Sequence, residues 1–154
     1  MLRALLDSDA VDPIADLPGA LEAVKRAIER GDLQLLIPER AFEQIGRAKE
    51  PRRQELIEAA SVAEQVLDGA YSVERGRIGV HRIASEAEAG YYQRVRGESE
   101  KDKHAPDALI ALTAQFEGAV LVTIDKRLFG RASTDRQPVI NPYAMLALIG
   151  YKTA

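Results

Sequence analysis

The stretch Lys103-His-Ala-Pro106-Asp107-Ala-Leu-Ile-Ala-Leu-Thr-Ala-Gln-Phe-Glu-Gly118-Ala-Val-Leu-Val-Thr123-Ile-Asp125-Lys-Arg-Leu128 reads as helix, tight stop, buried strand and acid. Pro106 suits a first helical turn because its missing N–H has no intrahelical partner there, and Asp107 meets the positive end of the helix dipole. From Ala108 through Leu109, Ile110, Ala111, Leu112 and Ala114 to Phe116 the helix is apolar almost all round, which predicts burial on most faces. Gly118 is the expected left-handed stop. Ala119 to Ile124, rich in Val, Leu and Ile, predicts a strand covered on both faces of a parallel sheet, with Asp125 at its end. Two carboxylates thus bracket a rigid helix-strand unit at the edge where open α/β sheets place their ligands.

Outward from this unit, Leu2 to Leu6 reads as a short buried strand with Asp7 at its end, and Ser8 to Pro13 reads as a loop. Leu17, Leu21, Val24 and Ile28 mark one helix face, closed by Gly31. Leu33 to Ile37 forms a second strand ended by Pro38; Glu39 to Ala48 follows as a helix that turns Phe42 and Ile45 inward and carries Glu43 early. Leu56, Ala60, Ala63 and Leu67 predict one stripe of a third helix. Between Gly69 and Glu100, Ile78 and Val80 fit a short strand and Ile83, Ala87, Tyr91 and Val95 a helix, and Gly97 to Lys103 reads as a charged loop. Lys126 to Phe129 starts a helical turn, Gly130 to Gln137 is a polar connection, and Pro138 to Asn141 is a last strand. Pro142 opens a terminal helix through Met145, Leu146 and Ile149. Strands alternating with helices predict an α/β fold over a single domain spanning 1–154, a three-layer α/β/α sandwich around a central, mainly parallel sheet.

A chain of 154 residues buries about two-thirds of its unfolded surface without covalent staples. It contains no Cys, which rules out disulfides and is compatible with a reducing cytoplasm. The opening apolar stretch, interrupted by Asp7, is too short for a signal peptide, and no run approaches membrane-spanning length, so a cytoplasmic protein is expected. With 21 basic and 24 acidic residues the net charge is −3, so a nucleic-acid site has to be a local patch.

Asp7, Glu43, Asp107 and Asp125 share one location in this topology, after strands or at helix starts. Carboxylates suit hard divalent ions, and magnesium takes one or two of them plus waters and substrate phosphate. Such ions activate water for in-line attack on a phosphodiester and screen charge on the leaving oxygen. Singly, each acid is more simply a turn or cap residue, since there are 24 acids in the chain.

As a set they resemble the PIN-domain family, metal-dependent nucleases that include the toxins of VapBC-type toxin–antitoxin pairs. Leu5-Leu6-Asp7-Ser8 is similar to the family's opening apolar-Asp-Ser/Thr, and Ile37-Pro38 with Glu43-Gln44-Ile45 to its strand, proline and helix-borne Glu. Asp107 with the following Ile-Ala-rich helix, Val120 to Asp125 ending in Thr123-x-Asp125, and Val139 to Pro142 before Met145-Leu146 resemble its remaining motifs. The resemblance implies a Mg²⁺- or Mn²⁺-dependent endoribonuclease in which Asp7, Glu43, Asp107 and Asp125 bind metal and act in catalysis. Thr123 and Ser8 would support that site. It also implies RNA as substrate, a homodimer, and an antitoxin that blocks the acidic cleft if the chain is a toxin. Asp9 stands where the family often has Asn, with Asp12 and Asp16 beyond, and serves either as a further ligand or base or as a barrier to an anionic substrate. The segment from about Arg52 to Glu100 carries no family motif.

Other features have a bland reading beside a functional one. His104 could contact phosphate and Tyr91 or Tyr92 could stack bases, but a solvated loop histidine, a surface His81 and one core tyrosine are the simpler assignments. Arg47, Lys49, Arg52 and Arg53, like Lys101 with Lys103 or Lys126, Arg127 and Arg131, could follow a phosphate backbone or form a solvated charged face. Two other functions compete. Asp7-Ser-Asp9-Ala-Val11 also fits the opening of haloacid dehalogenase-like phosphatases, yet Asp135 is the sole acid after Asp125, so their late acidic pair is missing. A catalytically inactive PIN-like module binding RNA or protein is the alternative from another class.

Overall fold

The strands alternate because their side chains must satisfy two cores. The computed structural model describes residues 1–71, 81–83, 105–134 and 137–152, with side chains over 1–67, 108–134 and 137–152. In β1 (Leu2–Leu6), Ala4 and Leu6 point into one apolar cluster and Leu5 into the other. β2 (Leu33–Pro38) repeats this, with Leu33, Leu35 and Ile37 on the first face and Leu36 on the second. The first face is covered by α1 (Val11–Asp16), α2 (Ala20–Glu29), α3 (Glu39–Ile45), α4 (Arg52–Ala60) and the last helix, α7 (Pro142–Leu148). The second face is covered by α5 (Ala105–Glu117) and α6 (Lys126–Ala132).

All pairings in the central sheet are parallel, in the order β3 (Glu64–Val66), β2, β1, β6 (Val120–Val122), β7 (Val139–Ile140). Leu2 faces Leu33 across β1 and β2, and Leu5 faces Leu121 across β1 and β6. The chain moves outward from β1 to β3, then returns to the other side of β1 as β6. The order therefore reverses between β1 and β6, and the carboxyl ends of those strands form the crevice where such sheets bind ligands. A separate pair, β4 (Asp68–Tyr71) with β5 (His81–Ile83), lies against α5.

The helix of the opening stretch forms as expected. Ala108 to Leu112 and Ala114 are buried, and Gly118 at φ +63° ends the helix in the left-handed region. Thr113, fully buried, donates its hydroxyl to the Leu109 carbonyl one turn back, which removes the cost of a polar group in an apolar layer. Phe116 departs from the expectation and is 45% exposed.

Elsewhere several expectations are corrected. Ser8 to Pro13 is no loop: a 3-10 turn at Ser8–Ala10 leads directly into α1, because Val11 and Ile14 anchor to the first core. In α2 the deepest residues are Ala20, Val24 and Ala27, while Leu21 and Ile28 pack at the flanks; small residues let the helix lie close to the sheet. The second helix ends at Ile45 instead of Ala48. The third helix ends at Ala60, and its expected stripe breaks because Glu64–Val66 adds to β2 as an edge strand. Ile83 belongs to β5, not a helix; Ile78, Val80, Ala87, Tyr91, Val95 and the loop 97–103 fall outside the described residues. The strand expected over Ala119–Ile124 is confined to Val120–Val122, and the turn after Asp125 extends as a helix to Ala132.

Candidate functional site

Asp7 follows β1 at the point where the sheet order reverses. Its N–H donates to the Val122 carbonyl at 2.9 Å, so the β1–β6 pairing holds the residue rigidly. Only 5% of Asp7 is exposed. Oδ1 accepts from the Ser8 N–H at 2.8 Å and Oδ2 from the Thr123 hydroxyl at 2.9 Å. Those two donors offset part of the cost of burying a carboxylate.

Thr123 links two of the expected acids. Its own N–H donates to the Ile140 carbonyl at 3.0 Å, which ties the end of β6 to β7. Its hydroxyl donates to Asp7 and accepts from the Asp125 N–H at 3.1 Å. Asp125 caps α6: Oδ1 accepts from the N–H groups of Arg127 at 2.9 Å and Leu128 at 3.2 Å. A carboxylate at a helix N-terminus also meets the positive end of the dipole.

Asp9 joins this group from the 3-10 turn. Partial desolvation, then the carboxylates of Asp12 and Asp125, push its carboxyl above the usual range. Three acids of two separated segments therefore share one field. Asp12 is partly neutralised by Arg52, which lies 3.1 Å away and also reaches both oxygens of Asp16, at 2.5 and 3.0 Å, and Glu55 at 2.9 Å. Hydrogen bonds to Asp16 and Glu55 hold the Arg52 guanidinium more firmly charged still. Arg53 pairs with Glu50 at 2.6 Å, so two members of the basic cluster 47–53 are committed to acids on the protein surface.

The other expected ligands are placed less directly. Ser8 donates its hydroxyl to Gln44 Oε1 at 3.1 Å, which brings α3 against the Asp7 turn; Glu43, beside Gln44, has an exposed side chain. The short Gly118-Ala119 connection makes α5 run back along β6, so its first turn, with Asp107, lies toward the edge where β6 ends. The Asp107 side chain is outside the described set, as are His104, Lys101, Lys103, Tyr91 and Tyr92. Among the described residues no three His, Cys, Asp or Glu side chains come together as a metal-holding group. What the geometry brings together is Asp7, Thr123 and Asp125, with Asp9 and Asp12 beside them.

Sequence reasoning missed a second feature. An open cleft of about 270 Å³ runs from Thr123 and Asp125 past Ile124, Lys126 and Phe129 to Asn141 and Tyr143. Tyr143 and Phe129 had no periodic signal, because each sits on the outer side of a short helix whose inner residues carry the pattern.

Among the described residues no helix is long and apolar enough to cross a membrane. No family model matches the sequence, and no curated protein matches it. Solved structures do resemble the fold. PAE2754 from Pyrobaculum aerophilum is 17% identical, with 96% of this chain and 95% of that one covered at a TM-score of 0.56. VapBC2 from Rickettsia felis, solved with a DNA fragment from its promoter, is 16% identical over 91% of this chain and 98% of that one, at a TM-score of 0.55. The five-stranded parallel sheet with its flanking helices is the α/β fold that this chain shares with both structures.

Proposed function

We propose that this chain is a metal-dependent endoribonuclease of the PIN type, hydrolysing phosphodiester bonds in RNA, and that it acts as a toxin restrained by an antitoxin. The observation that carries the reading is the hydrogen-bonded series Asp125 N–H to Thr123 hydroxyl to Asp7 carboxylate at the reversal point of the sheet. A cap and a turn need no threonine that is only 1% exposed to join them. The oxygen-only donors fit a hard ion, and two carboxylates are enough for magnesium, which keeps waters and takes substrate phosphate for its remaining positions. Asp7 and Asp125, with Glu43 and Asp107 completing the set, would hold Mg²⁺ or Mn²⁺. When bound, the ion supplies activated water for in-line attack and screens charge on the leaving oxygen.

The chain's own residues do the positioning. Thr123 fixes one oxygen of Asp7, the α6 cap fixes one oxygen of Asp125, and Ser8 sets the second oxygen of Asp7. Lys126 and Arg127, both exposed beside Asp125, supply positive charge for an RNA backbone in a chain of net charge −3. The partner reading draws on the fold it shares with VapBC2, and a homodimer belongs to the same proposal.

The second reading, an inactive PIN-like module that binds RNA or protein, draws on the lack of a three-acid group among the described residues. Cleavage of single-stranded RNA with Mn²⁺, with and without EDTA, separates the two. The expected products are a 5′-phosphate on the downstream fragment and a 3′-hydroxyl on the upstream one, with EDTA abolishing the cut. Cyclic phosphate ends, or cutting that resists EDTA, would sink the metal mechanism. A folded protein that binds metal and leaves varied RNAs intact favours the module or a ribonuclease with a very narrow substrate.

A further inference from the structure

We infer that the cleft between the first turn of α6 and the start of α7 is a subsite for one unpaired nucleobase of the RNA strand, next to the phosphate held at Asp7 and Asp125. The inference rests on the ribonuclease reading and adds to it how the strand is gripped. Thr123 and Asp125 form one wall of the cleft, so it is continuous with the acid site. Its other walls expose apolar side chains that burial would normally claim: Ile124 is 43%, Phe129 38% and Tyr143 57% exposed. Three large apolar groups left in water around one cleft mark a binding surface more than a packing accident.

The polar groups of the cleft suit a nucleotide. Lys126 is exposed and makes no ion pair with a described residue, which leaves its ammonium for a phosphate. Asn141 commits Oδ1 to the Ala144 N–H at 2.8 Å as the cap of α7, so its amide N–H groups remain as donors to a base edge. The volume of about 270 Å³ lies at the small end of ligand sites, room for one ring system and too little for a helix of a partner protein. Aromatic faces accept any base by stacking, and bases present their faces only where the strand is unpaired. The occupant is therefore a single-stranded segment, and the subsite adds affinity with little sequence choice.

The test uses the full chain and a ten-nucleotide single-stranded RNA with 2-aminopurine placed at each position in turn, titrated in EDTA so that the strand stays intact. Stacking quenches the fluorescence of the base that enters the cleft. Tyr143→Ala is expected to weaken binding about tenfold and to remove the quench, while Tyr143→Phe keeps both. Lys126→Gln is expected to lower the slope of log affinity against log salt by about one. Tyr143 is more than half exposed, so its truncation leaves the fold in place, which circular dichroism checks.

Equal binding and equal quenching in wild type and Tyr143→Ala overturn the subsite. So does a loss of dimer in Tyr143→Ala, read by light scattering, with RNA binding untouched, because the face is then a contact between copies. A Tyr143-dependent quench without cleavage on adding Mn²⁺ keeps the subsite and removes the ribonuclease reading. Metal-dependent cleavage that Tyr143→Ala matches in both binding and rate removes the subsite alone. A wild-type protein that binds no RNA removes both.

Discussion

Asp125 accepts from Arg127 and Leu128 through one oxygen, Oδ1, so half of its carboxylate is a helix cap before any ligand is considered. Capping needs an acceptor, while metal binding needs the charge, and substitution separates the two. Asp125→Ala removes both and should cost about 1 kcal/mol of stability, the usual worth of an N-cap. Asp125→Asn caps equally well and removes one of the charges that crowd Asp9, so in EDTA its urea midpoint should be no lower than wild type, while metal-dependent cleavage disappears. An Asn variant that cleaves normally would make Asp125 a cap and nothing more. Thr123 and Ser8 were legible as companions of the acids only through the family's motifs, because a hydroxyl beside a carboxylate is common in any turn. That Thr123 touches Asp7, 116 positions earlier, follows from β1 and β6 being neighbours and from no local rule.

Among elements, α5 was the easiest to foresee, since it is apolar on nearly every face and bounded by Pro106 and Gly118. Leu112 is fully buried in it. Leu112→Asp should unfold the domain, because an unpaired buried carboxylate costs several kcal/mol, comparable with the whole stability of a small protein. Circular dichroism should show this collapse, with Asp125→Asn keeping native helicity; the opposite order of damage would mean that the core helix has been misplaced. The elements that escaped reading share a cause. β3 exposes Glu64 and Gln65 and owes its strand conformation to backbone pairing with β2, so it carries no apolar alternation. The 3-10 turn and α1 were hidden behind Ser, Asp and Pro, residues that ordinarily mark loops, and form because Val11 and Ile14 reach the core.

For the whole molecule, the acids gathered at one edge of the sheet repel each other without a counter-ion. The carboxyl of Asp9, raised by desolvation and by Asp12 and Asp125, binds its proton more tightly in the folded state than in the unfolded chain. Its contribution to stability is therefore unfavourable above the folded pKa and fades as the pH falls toward the ordinary Asp value of about 4. In EDTA, Asp9→Asn should melt higher than wild type at pH 7, with the gap closing as the pH is lowered toward about 4. Mg²⁺ or Mn²⁺ should raise the wild-type melting temperature at pH 7 by screening the same repulsion. A gap that does not change with pH, or a melt indifferent to either ion, would show that the acids do not act as one cluster.

Periodicity and punctuation along the chain determined the fold class, because strands buried on both faces and a helix apolar all round admit few arrangements other than a covered parallel sheet. The order of motifs also singled out Asp7, Glu43, Asp107 and Asp125 from the 24 acids of the chain. Tertiary structure alone decided what those acids touch. The reversal of strand order between β1 and β6 sets Asp7 beside Thr123, and α1 meeting α4 turns Arg52 toward Asp12 and Asp16 instead of solvent. The cleft at Tyr143 and Phe129 arises where α6 and α7 begin, at the ends of adjacent strands. Such contacts join residues far apart in the chain, and short-range pattern cannot encode them, because their cost and gain are set only when the sheet is assembled.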